Sequence, residues 1–184
     1  TCAKKSSDDS KTTTDNTTTT TSSVSFVAVG NSGTILTSSD NGTTWTSRTS
    51  GTTNNLRRVT YGNRLFVTGG GSGTLLTSTD GTSWTARTSG TTNILYGVTY
   101  GNSIFVIGGT SGTILTSTDG TTWTARTSET SMTLLGVTYG NGLFVTVGNT
   151  GTILTSTDGT SWTSRISGTT VNLENVIYKN ELFM

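Results

Sequence analysis

The chain has 184 residues, with 10 acidic and 11 basic side chains and no His, so its net charge is close to +1. This balance argues against a nucleic-acid binder, which carries a basic face. Only 29% of the residues are apolar, which is too few for membrane-spanning helices. The 24 Gly residues suit tight turns and the abundant Thr suits strands. The composition therefore predicts an all-β domain of many short strands.

Residues 1–23 form a polar, Ser/Thr-rich segment at the start of the chain. Beyond Cys2 and Ala3 it has no apolar residue, so burial cannot offset its chain entropy. We therefore expect a disordered tether, followed by a folded domain over residues 24–184. Cys2 is the only Cys of the chain, which excludes an internal disulfide.

From residue 24 onward the chain repeats one unit of 39 residues. The period is kept by four Trp, four Tyr and four Phe residues: Trp45, Trp84, Trp123, Trp162, Tyr61, Tyr100, Tyr139, Tyr178, Phe66, Phe105, Phe144 and Phe183. One unit contains four strand-like segments: 95–100, 103–108, 112–117 and 121–126. Hairpin signals at Gly101-Asn102 and Asp119-Gly120 separate the first pair of segments and the second pair.

Four antiparallel strands in about 40 residues is the size of one β-propeller blade. We therefore predict a β-propeller of four-stranded antiparallel blades, with about four blades in this chain. The expected units are a partial blade at 24–50, blades at 51–89, 90–128 and 129–167, and the start of another at 168–184. A β-solenoid is the alternative, although its coils are usually shorter and its turns are less often hairpins.

Each repeat contains a short acidic turn followed by a Trp, first written SSDNGTTW at residues 38–45. Each of the four acidic turns contains a Ser, an Asp, a Gly and a Trp: Ser38, Asp40, Gly42, Trp45, Ser78, Asp80, Gly81, Trp84, Ser117, Asp119, Gly120, Trp123, Ser156, Asp158, Gly159 and Trp162. The first turn is longer than the others by Asn41. We expect the Asp to accept backbone N–H bonds, the Gly to take a positive φ and the Trp to lie between blades. These residues are therefore predicted to be structural.

The acidic turns resemble the Asp-box, or BNR repeat, of sialidases and many bacterial propellers, written Ser-x-Asp-x-Gly-x-x-Trp. The resemblance spans residues 24–184, and the first turn matches every fixed position. It implies the WD40/YVTN-like class, acidic turns on the outer part of the blades, and a ring of roughly six to eight blades. We therefore expect the chain to be the front part of a longer propeller. The photosystem II assembly factor of cyanobacteria shares that architecture, but its basic patch has no clear counterpart here.

The N-terminal segment resembles the mature start of a bacterial lipoprotein, in which a Cys is followed by a small residue and a polar linker. In that family the Cys carries the lipid, so the resemblance implies lipidation of Cys2. It also implies an exported protein at the outer membrane, at the cell surface or in the periplasm, which touches the membrane only through this anchor. The alternative is a chance Cys in a polar segment.

The charged residues of the repeats do not form the catalytic constellation that the sialidase resemblance would require. Every Asp of the repeat region belongs to an acidic turn, which leaves only Glu129, Glu174 and Glu181. One Arg recurs in each blade, three residues after the Trp: Arg48, Arg87, Arg126 and Arg165. With no His, one Cys and no acidic cluster in the repeats, we predict no catalytic residue, metal site or cofactor.

Arg57, Arg58 and Arg64 stand outside the repeat pattern, around one predicted hairpin. They are interpreted as solvated loop charge, with contact to a small anion or glycan as the alternative. The predicted function is a non-catalytic binding or scaffold propeller for an unidentified protein or glycan. Two other functions stay open: a lectin-like glycan binder with one site per blade, and a fragment of a sialidase-like glycosidase whose catalytic residues lie outside this sequence.

Overall fold

The computed structural model of the protein describes residues 1–5 and 24–184. These residues form four four-stranded antiparallel sheets and one two-stranded sheet, which confirms the predicted all-β propeller. Each four-stranded sheet is one blade, and its strands are adjacent in space in the order of the chain. Within the described residues, no helix has the length and apolar character needed to cross a membrane.

Corresponding strands have closely similar lengths in the second, third and fourth blades, whereas the first two strands of the first blade are shorter. The first blade consists of β1 (Cys2–Lys4), β2 (Phe26–Val29), β3 (Ile35–Ser38) and β4 (Thr46–Arg48). The second consists of β5 (Leu56–Gly62), β6 (Leu65–Gly70), β7 (Leu75–Ser78) and β8 (Thr85–Ala86). The third consists of β9 (Leu95–Gly101), β10 (Ile104–Gly109), β11 (Ile114–Ser117) and β12 (Thr124–Arg126). The fourth consists of β13 (Leu134–Gly140), β14 (Leu143–Gly148), β15 (Ile153–Ser156) and β16 (Thr163–Arg165). The fifth sheet contains β17 (Tyr178–Lys179) and β18 (Leu182–Phe183).

Short 3-10 turns join the second and third strands of the later three blades. They span Gly71–Gly73, Thr110–Gly112 and Asn149–Gly151. Because the blades are antiparallel meanders, these turns lie at one end of each blade. The acidic turns and the hairpin turns between the first two strands lie at the opposite end. The two ends of the propeller therefore carry different sets of residues.

The N-terminal residues 1–5 differ from the expected disordered tether. They include strand β1, which pairs antiparallel with β2 and places Ala3 opposite Val27. Ala3 is buried, and the backbone of β1 is bonded as an additional strand of the first blade. This pairing is not local, which is why the polar composition of the segment did not indicate it. The rest of the predicted tether, residues 6–23, lies outside the described residues.

Each blade has two apolar faces, and neighbouring blades bury them against each other. We call the face that points to the preceding blade the front face and the one that points to the following blade the back face. Between the first and second blades, Val27 and Ile35 of the back face pack with Phe66 and Leu76 of the front face. Equivalent clusters lie at the next two interfaces. Phe66, Phe105 and Phe144 are all fully buried in these clusters.

The Tyr, Phe and Trp residues of each repeat form a row across the front face. In the third blade, the ring centroids of Tyr100 and Phe105 are 4.7 Å apart, and those of Phe105 and Trp123 are 6.3 Å apart. Trp162 is only 8% exposed, whereas Trp45 is 41% exposed. The difference arises because a preceding blade covers Trp162, and none in the described residues covers Trp45. The indoles of the last three blades therefore lie between neighbouring sheets.

In the second, third and fourth blades, the Gly before the turn between the first two strands has a packing role that its sequence context did not reveal. The predicted turn at Gly101-Asn102 is shifted by one residue, because Gly101 pairs with Ile104. The turn residues are Asn102 and Ser103, with φ of 46° and 63°. A Cβ on Gly101 would run into the ring of Tyr139 in the next blade. Gly101 is therefore needed for close contact between blades rather than for turn conformation.

Two matched Trp substitutions test the importance of this packing. We expect Trp162→Ala to lower the free energy of unfolding by about 3–5 kcal/mol, because it leaves a cavity between two blades. Trp45→Ala should cost about 1 kcal/mol or less, since Trp45 is 41% exposed and no blade among the described residues packs on its ring. Urea denaturation followed by circular dichroism measures both values. Equal losses would contradict the view that burial between blades makes the indole important.

Candidate binding site

The polar groups of each acidic turn form hydrogen bonds with one another, within the turn itself. In the third blade, Ser117 Oγ donates to Asp119 Oδ1 at 2.9 Å. The backbone N–H groups of Thr121 and Thr122 donate to the same oxygen at 2.7 and 2.8 Å. The N–H of Gly120 donates to Ser117 Oγ at 2.8 Å. The Asp119 carboxylate therefore holds the turn closed, with its bonding groups supplied by adjacent residues.

The same bonds recur in the other blades, with one variation in the first. There the inserted Asn41 adopts a left-handed φ of 60°. Asp40 accepts from the backbone N–H and the hydroxyl of Thr44 at 2.9 and 2.6 Å. In all four turns the Trp Nε1 donates to the carbonyl of the turn Gly, at 2.9 to 3.1 Å. The turn thus orients the indole against its blade.

The Gly of the acidic turn serves two purposes. Gly120 has a φ of +71°, which a residue with a Cβ adopts less readily. A Cβ on Gly120 would also meet the side chain of Leu65 from the preceding blade, and one on Gly159 would meet Ile104. The sequence indicated only the first purpose. The second purpose makes the acidic turn part of the contact between blades.

The hydrogen bonds lower the pKa of every Asp in the acidic turns. For Asp119 the strongest cause is the N–H of Thr122. For Asp40 it is the hydroxyl of Thr44, and together with the N–H of Thr44 and the hydroxyl of Ser38 it lowers the pKa to about 2. Burial raises the pKa of Asp80, but the hydrogen bonds outweigh it and the net shift is downward. The bonds that the ionised form of each carboxylate accepts therefore favour that form. A general acid working near neutral pH needs the opposite shift.

The recurring Arg residues also bond within their own blades. The Nε of Arg48, Arg87, Arg126 and Arg165 donates to a Thr Oγ1 on the adjacent strand, at 2.9 Å in each blade. In the third blade, for example, Arg126 bonds Thr116. These Arg residues therefore lie one to a blade, at the end of the outermost strand or directly after it, and do not converge on one point.

The three Arg residues outside the repeat pattern do not form one cluster. Arg57 and Arg58 lie at the start of β5, whereas Arg64 lies in the β5–β6 turn with a left-handed φ of 59°. From Arg58 to the end of β5 at Gly62 is four residues, or roughly 13 Å of strand. Arg64 is therefore at the end that carries the acidic turns, and Arg57 and Arg58 are at the other end.

Arg57 combines a contact to an aromatic ring with a buried side-chain nitrogen that has no hydrogen-bond partner in the described residues. Its guanidinium carbon lies 5.4 Å from the ring centroid of Tyr96, which belongs to the innermost strand of the third blade. Its Nε is the one side-chain nitrogen or oxygen, among the buried atoms of the described residues, that has no hydrogen-bond partner. The carbonyl of Arg57 accepts from Thr1 Oγ1 at 3.3 Å. Residues of the first, second and third blades therefore meet at Arg57, with Tyr96 against its side chain and Thr1 against its backbone.

The position of Arg57 is also one of those at which the residue type varies from repeat to repeat. One period apart, the equivalent residues are Tyr96, Leu135 and Glu174. By contrast, the packing position two residues further on is Val in the second, third and fourth blades and again ahead of the fifth sheet: Val59, Val98, Val137 and Val176. The inner start of the first strand is therefore one place where the repeats differ chemically, while this Val position stays alike.

Cys2 has an exposed side chain and forms no disulfide. It occupies the position in β1 that Val59 occupies in β5, since Cys2 pairs with Ala28 as Val59 pairs with Thr68. Partial burial raises the pKa of its thiol, and the neighbouring N-terminal charge lowers it by less. Lipid attachment to Cys2 stays a prediction.

A shallow polar groove recurs where the loop after the outermost strand approaches the turn between the second and third strands. In the third blade it is lined by Ser111, Gly112, Thr113 and Arg126 and has a volume of about 680 Å³. Similar grooves lie on the first, second and fourth blades. Within residues 1–5 and 24–184, no group of three His, Cys, Asp or Glu residues is arranged to hold a metal ion.

The acid dependence of stability tests the role of the acidic turns. Because the folded-state pKa of Asp119 is lowered, its contribution is present above its ordinary pKa of about 3.9 and is lost as the pH falls through the folded-state value. We expect Asp119→Asn to lower the melting temperature at pH 7 by a few degrees and to make it fall less on acidification. The substitution should leave ligand binding unchanged.

Differential scanning calorimetry between pH 2 and 7 measures this effect, and Glu129→Gln is the control because it changes a carboxylate outside the acidic turns. The control should keep the acid dependence of the unmodified chain. An acid dependence of D119N identical to that of the unmodified chain would contradict the prediction, as would loss of binding with unchanged stability.

Comparison with known proteins identifies solved structures with a similar fold. Two solved structures share the fold: YCF48 bound to D1 peptide, at 21% identity and a TM-score of 0.63, and YCF48 from Cyanidioschyzon merolae, at 20% identity and 0.61. They cover 82% and 83% of this chain, and the chain spans 52% and 55% of theirs, or about half of their length. A GH74 enzyme from Niastella koreensis is 25% identical with a TM-score of 0.53, over 77% of this chain and 22% of that enzyme.

A comparison with curated protein sequences gives no match. Residues 57–174 match the family described as DUF6242 beta propeller domain, and this match begins at Arg57 and covers more than half of the chain. It includes the second, third and fourth blades with their acidic turns. The chain therefore belongs to the DUF6242 beta propeller domain family.

Proposed function

We propose that the protein is a non-catalytic propeller that binds a carboxylate-bearing segment of another protein at Arg57 and Tyr96. The observation that carries this proposal is the buried Nε of Arg57, which has no hydrogen-bond partner in the described residues. A buried donor without an acceptor costs about 1–3 kcal/mol. A ligand that supplies the acceptor recovers this free energy, so the atom is a favourable point of recognition.

The chemistry around Arg57 favours a carboxylate as the acceptor. A guanidinium binds a carboxylate through two parallel N–H bonds, which are stronger than neutral hydrogen bonds. The ring of Tyr96 lies beside the guanidinium and offers an apolar surface to the rest of the ligand. Arg58 follows on the same strand and adds positive charge that attracts an acidic segment. One similar structure, YCF48 bound to D1 peptide, supports peptide binding by a propeller of this fold.

The absence of catalysis is also part of the proposal. The four Asp carboxylates of the described residues accept hydrogen bonds that keep their pKa low, so they are poor proton donors near neutral pH. The similarity to a GH74 enzyme covers only 22% of that enzyme and supports the shared blade structure more than a shared reaction. A binding or scaffold function fits these observations better than glycoside hydrolysis.

Substitution of Arg57 tests the proposed site. The probe is a fluorescein-labelled octapeptide of alternating Glu and Ala with a free C-terminal carboxylate, compared with an amidated peptide in which Gln replaces each Glu. We expect the acidic peptide to bind at least about tenfold more tightly, and Arg57→Gln to remove most of this preference, because charged hydrogen bonds contribute about 1.5–3 kcal/mol. Fluorescence anisotropy at low and high NaCl measures the affinities, and salt should weaken binding.

Arg126→Gln is the matched control, because Arg126 Nε is bonded to Thr116 within its own blade. This variant should keep the preference of the unmodified chain for the acidic peptide. Equal binding of the two peptides, or an unchanged preference in R57Q, would contradict the proposal. Binding of oligosaccharides on a glycan array that R57Q leaves unchanged would favour the second candidate, glycan binding at the repeated polar grooves.

We also propose that the protein is exported and is held at a membrane by a lipid on Cys2. The exposed thiol of Cys2 supports this proposal, together with the resemblance of the N-terminal segment to a lipoprotein. In cells that produce the full reading frame, an alkyne-labelled fatty acid should be incorporated into the protein and lost in Cys2→Ser. Met184→Ser is the control and should keep the label. Incorporation that persists in C2S, or no incorporation in the unmodified protein, would contradict lipidation at this residue.

A further inference from the structure

A β-bulge lies near the start of the first strand in the second, third and fourth blades. The bulge residue is Arg57 in β5 and Leu135 in β13, since neither has a residue opposite it in the neighbouring strand. In β9 the register shifts across Tyr96 and Gly97, at the same place in the repeat. A bulge directs a side chain away from the side that regular alternation would give it. We call Arg57, Tyr96 and Leu135 the bulge row.

The bulge releases the side chains of this row from the packing between blades. Leu56 and Val59 both belong to the core cluster between the first and second blades, although residues three apart in a regular strand point to opposite faces. The bulge between them allows both to point into the core. Tyr96 and Leu135 are half-buried, and neither belongs to a core cluster of the described residues. Their apolar side chains therefore keep surface that a ligand can cover.

The members of the bulge row lie side by side on neighbouring strands. The guanidinium carbon of Arg57 is 5.4 Å from the ring centroid of Tyr96. One residue beyond Tyr96, a Cβ added to Gly97 would lie 2.8 Å from the backbone nitrogen of Val137. The innermost strands of the third and fourth blades are therefore in close contact beside Tyr96 and Leu135. The row thus presents a cation, an aromatic ring and an aliphatic side chain, in that order.

We propose that the bulge row selects an acidic peptide segment in which an aliphatic side chain adjacent to the carboxylate packs on Tyr96 and Leu135. This inference rests on the carboxylate binding proposed for Arg57 and adds the apolar part of the ligand. A guanidinium beside two apolar side chains matches such a segment, because charged hydrogen bonds hold the carboxylate and removal from water holds the aliphatic group. Leu135 is therefore a specificity-determining residue of the site.

The charge beyond the aliphatic member of the row favours one orientation of the segment. Glu174 follows Leu135 by one period. The residue after it, Asn175, lies against the fourth blade, since a Cβ added to Gly136 would be 2.8 Å from the Cα of Asn175. The Glu174 carboxylate is opposite in charge to the Arg57 guanidinium, so it repels an acidic side chain at the Leu135 end of the row. The acidic side chain of the ligand is therefore directed to Arg57 and the aliphatic one to Leu135.

Two acidic peptides of equal charge test the inference. One is the octapeptide of alternating Glu and Ala described above, and in the other a central Ala is replaced by Leu. We expect the Leu peptide to bind about five- to tenfold more tightly, because Leu has more apolar surface to bury than Ala. Leu135→Ser should remove most of this gain, whereas Leu135→Tyr should keep it, because Tyr occupies this position in the third blade. Fluorescence anisotropy measures all of these affinities.

Ile166→Thr is the matched control, because Ile166 is a fully exposed aliphatic residue outside the row and the equivalent residues of the other blades are Thr. This variant should keep the gain from Leu, and circular dichroism should show that all variants are folded. A peptide with photo-leucine at the central position gives a second measurement that needs no substitution in the protein. On irradiation it should label Tyr96, Leu135 or their immediate neighbours, as mapped by mass spectrometry.

The outcomes separate this inference from the function on which it rests. Equal affinity of the Leu and Ala peptides, an unchanged gain in L135S, or labelling confined to other parts of the chain would overturn the inference. In each of these cases, a preference for Glu over Gln that depends on Arg57 would leave the proposed carboxylate binding in place. Absence of that preference in the unmodified chain would contradict both.

Discussion

The packing of one blade against the next is the interaction on which the rest of this structure depends. A four-stranded sheet with two apolar faces cannot bury both by itself, and the strands here are short enough that each blade has little core of its own. Burial becomes effective only when the Phe and Leu residues of a front face meet the Val and Ile residues of the preceding back face. Close approach then requires Gly where an aromatic ring or a Leu of the neighbouring blade must fit.

The acidic turns are best understood through this packing. Their hydrogen bonds are internal, from Ser to Asp, from backbone N–H to Asp, and from indole to carbonyl. The turn thereby orients its Trp against its own Phe and exposes its Gly to a side chain of the preceding blade. The acidic turn is conspicuous for its charged side chain, but its main contribution is to the packing between blades. The ionised carboxylate is used to organise backbone donors, which explains its lowered pKa.

Function in such a repeat is expected where the repeat changes, because the unchanged positions are needed for packing. The row that contains Arg57, Tyr96, Leu135 and Glu174 changes from repeat to repeat, and its first three members lie on the innermost strands of their blades. Arg57 is also the residue with an unsatisfied buried donor in the described chain. Variation and incomplete hydrogen bonding therefore coincide at one position. This coincidence is the reason that we propose a binding role for Arg57 and a structural role for Arg126, which satisfies its Nε within one blade.

The sequence by itself determined the all-β blade, its period and the internal bonding of the acidic turns, because these depend on contacts within about 40 residues. It could not reveal that residues 2–4 form the first strand, since that strand pairs across a long interval of polar chain. Nor could it show that Arg57 and Arg64 lie at opposite ends of one blade, or that Gly101 is needed for the ring of Tyr139. Only the tertiary structure decided these points. They depend on which blade faces which side chain, and that relation is a property of the assembled arc rather than of any single repeat.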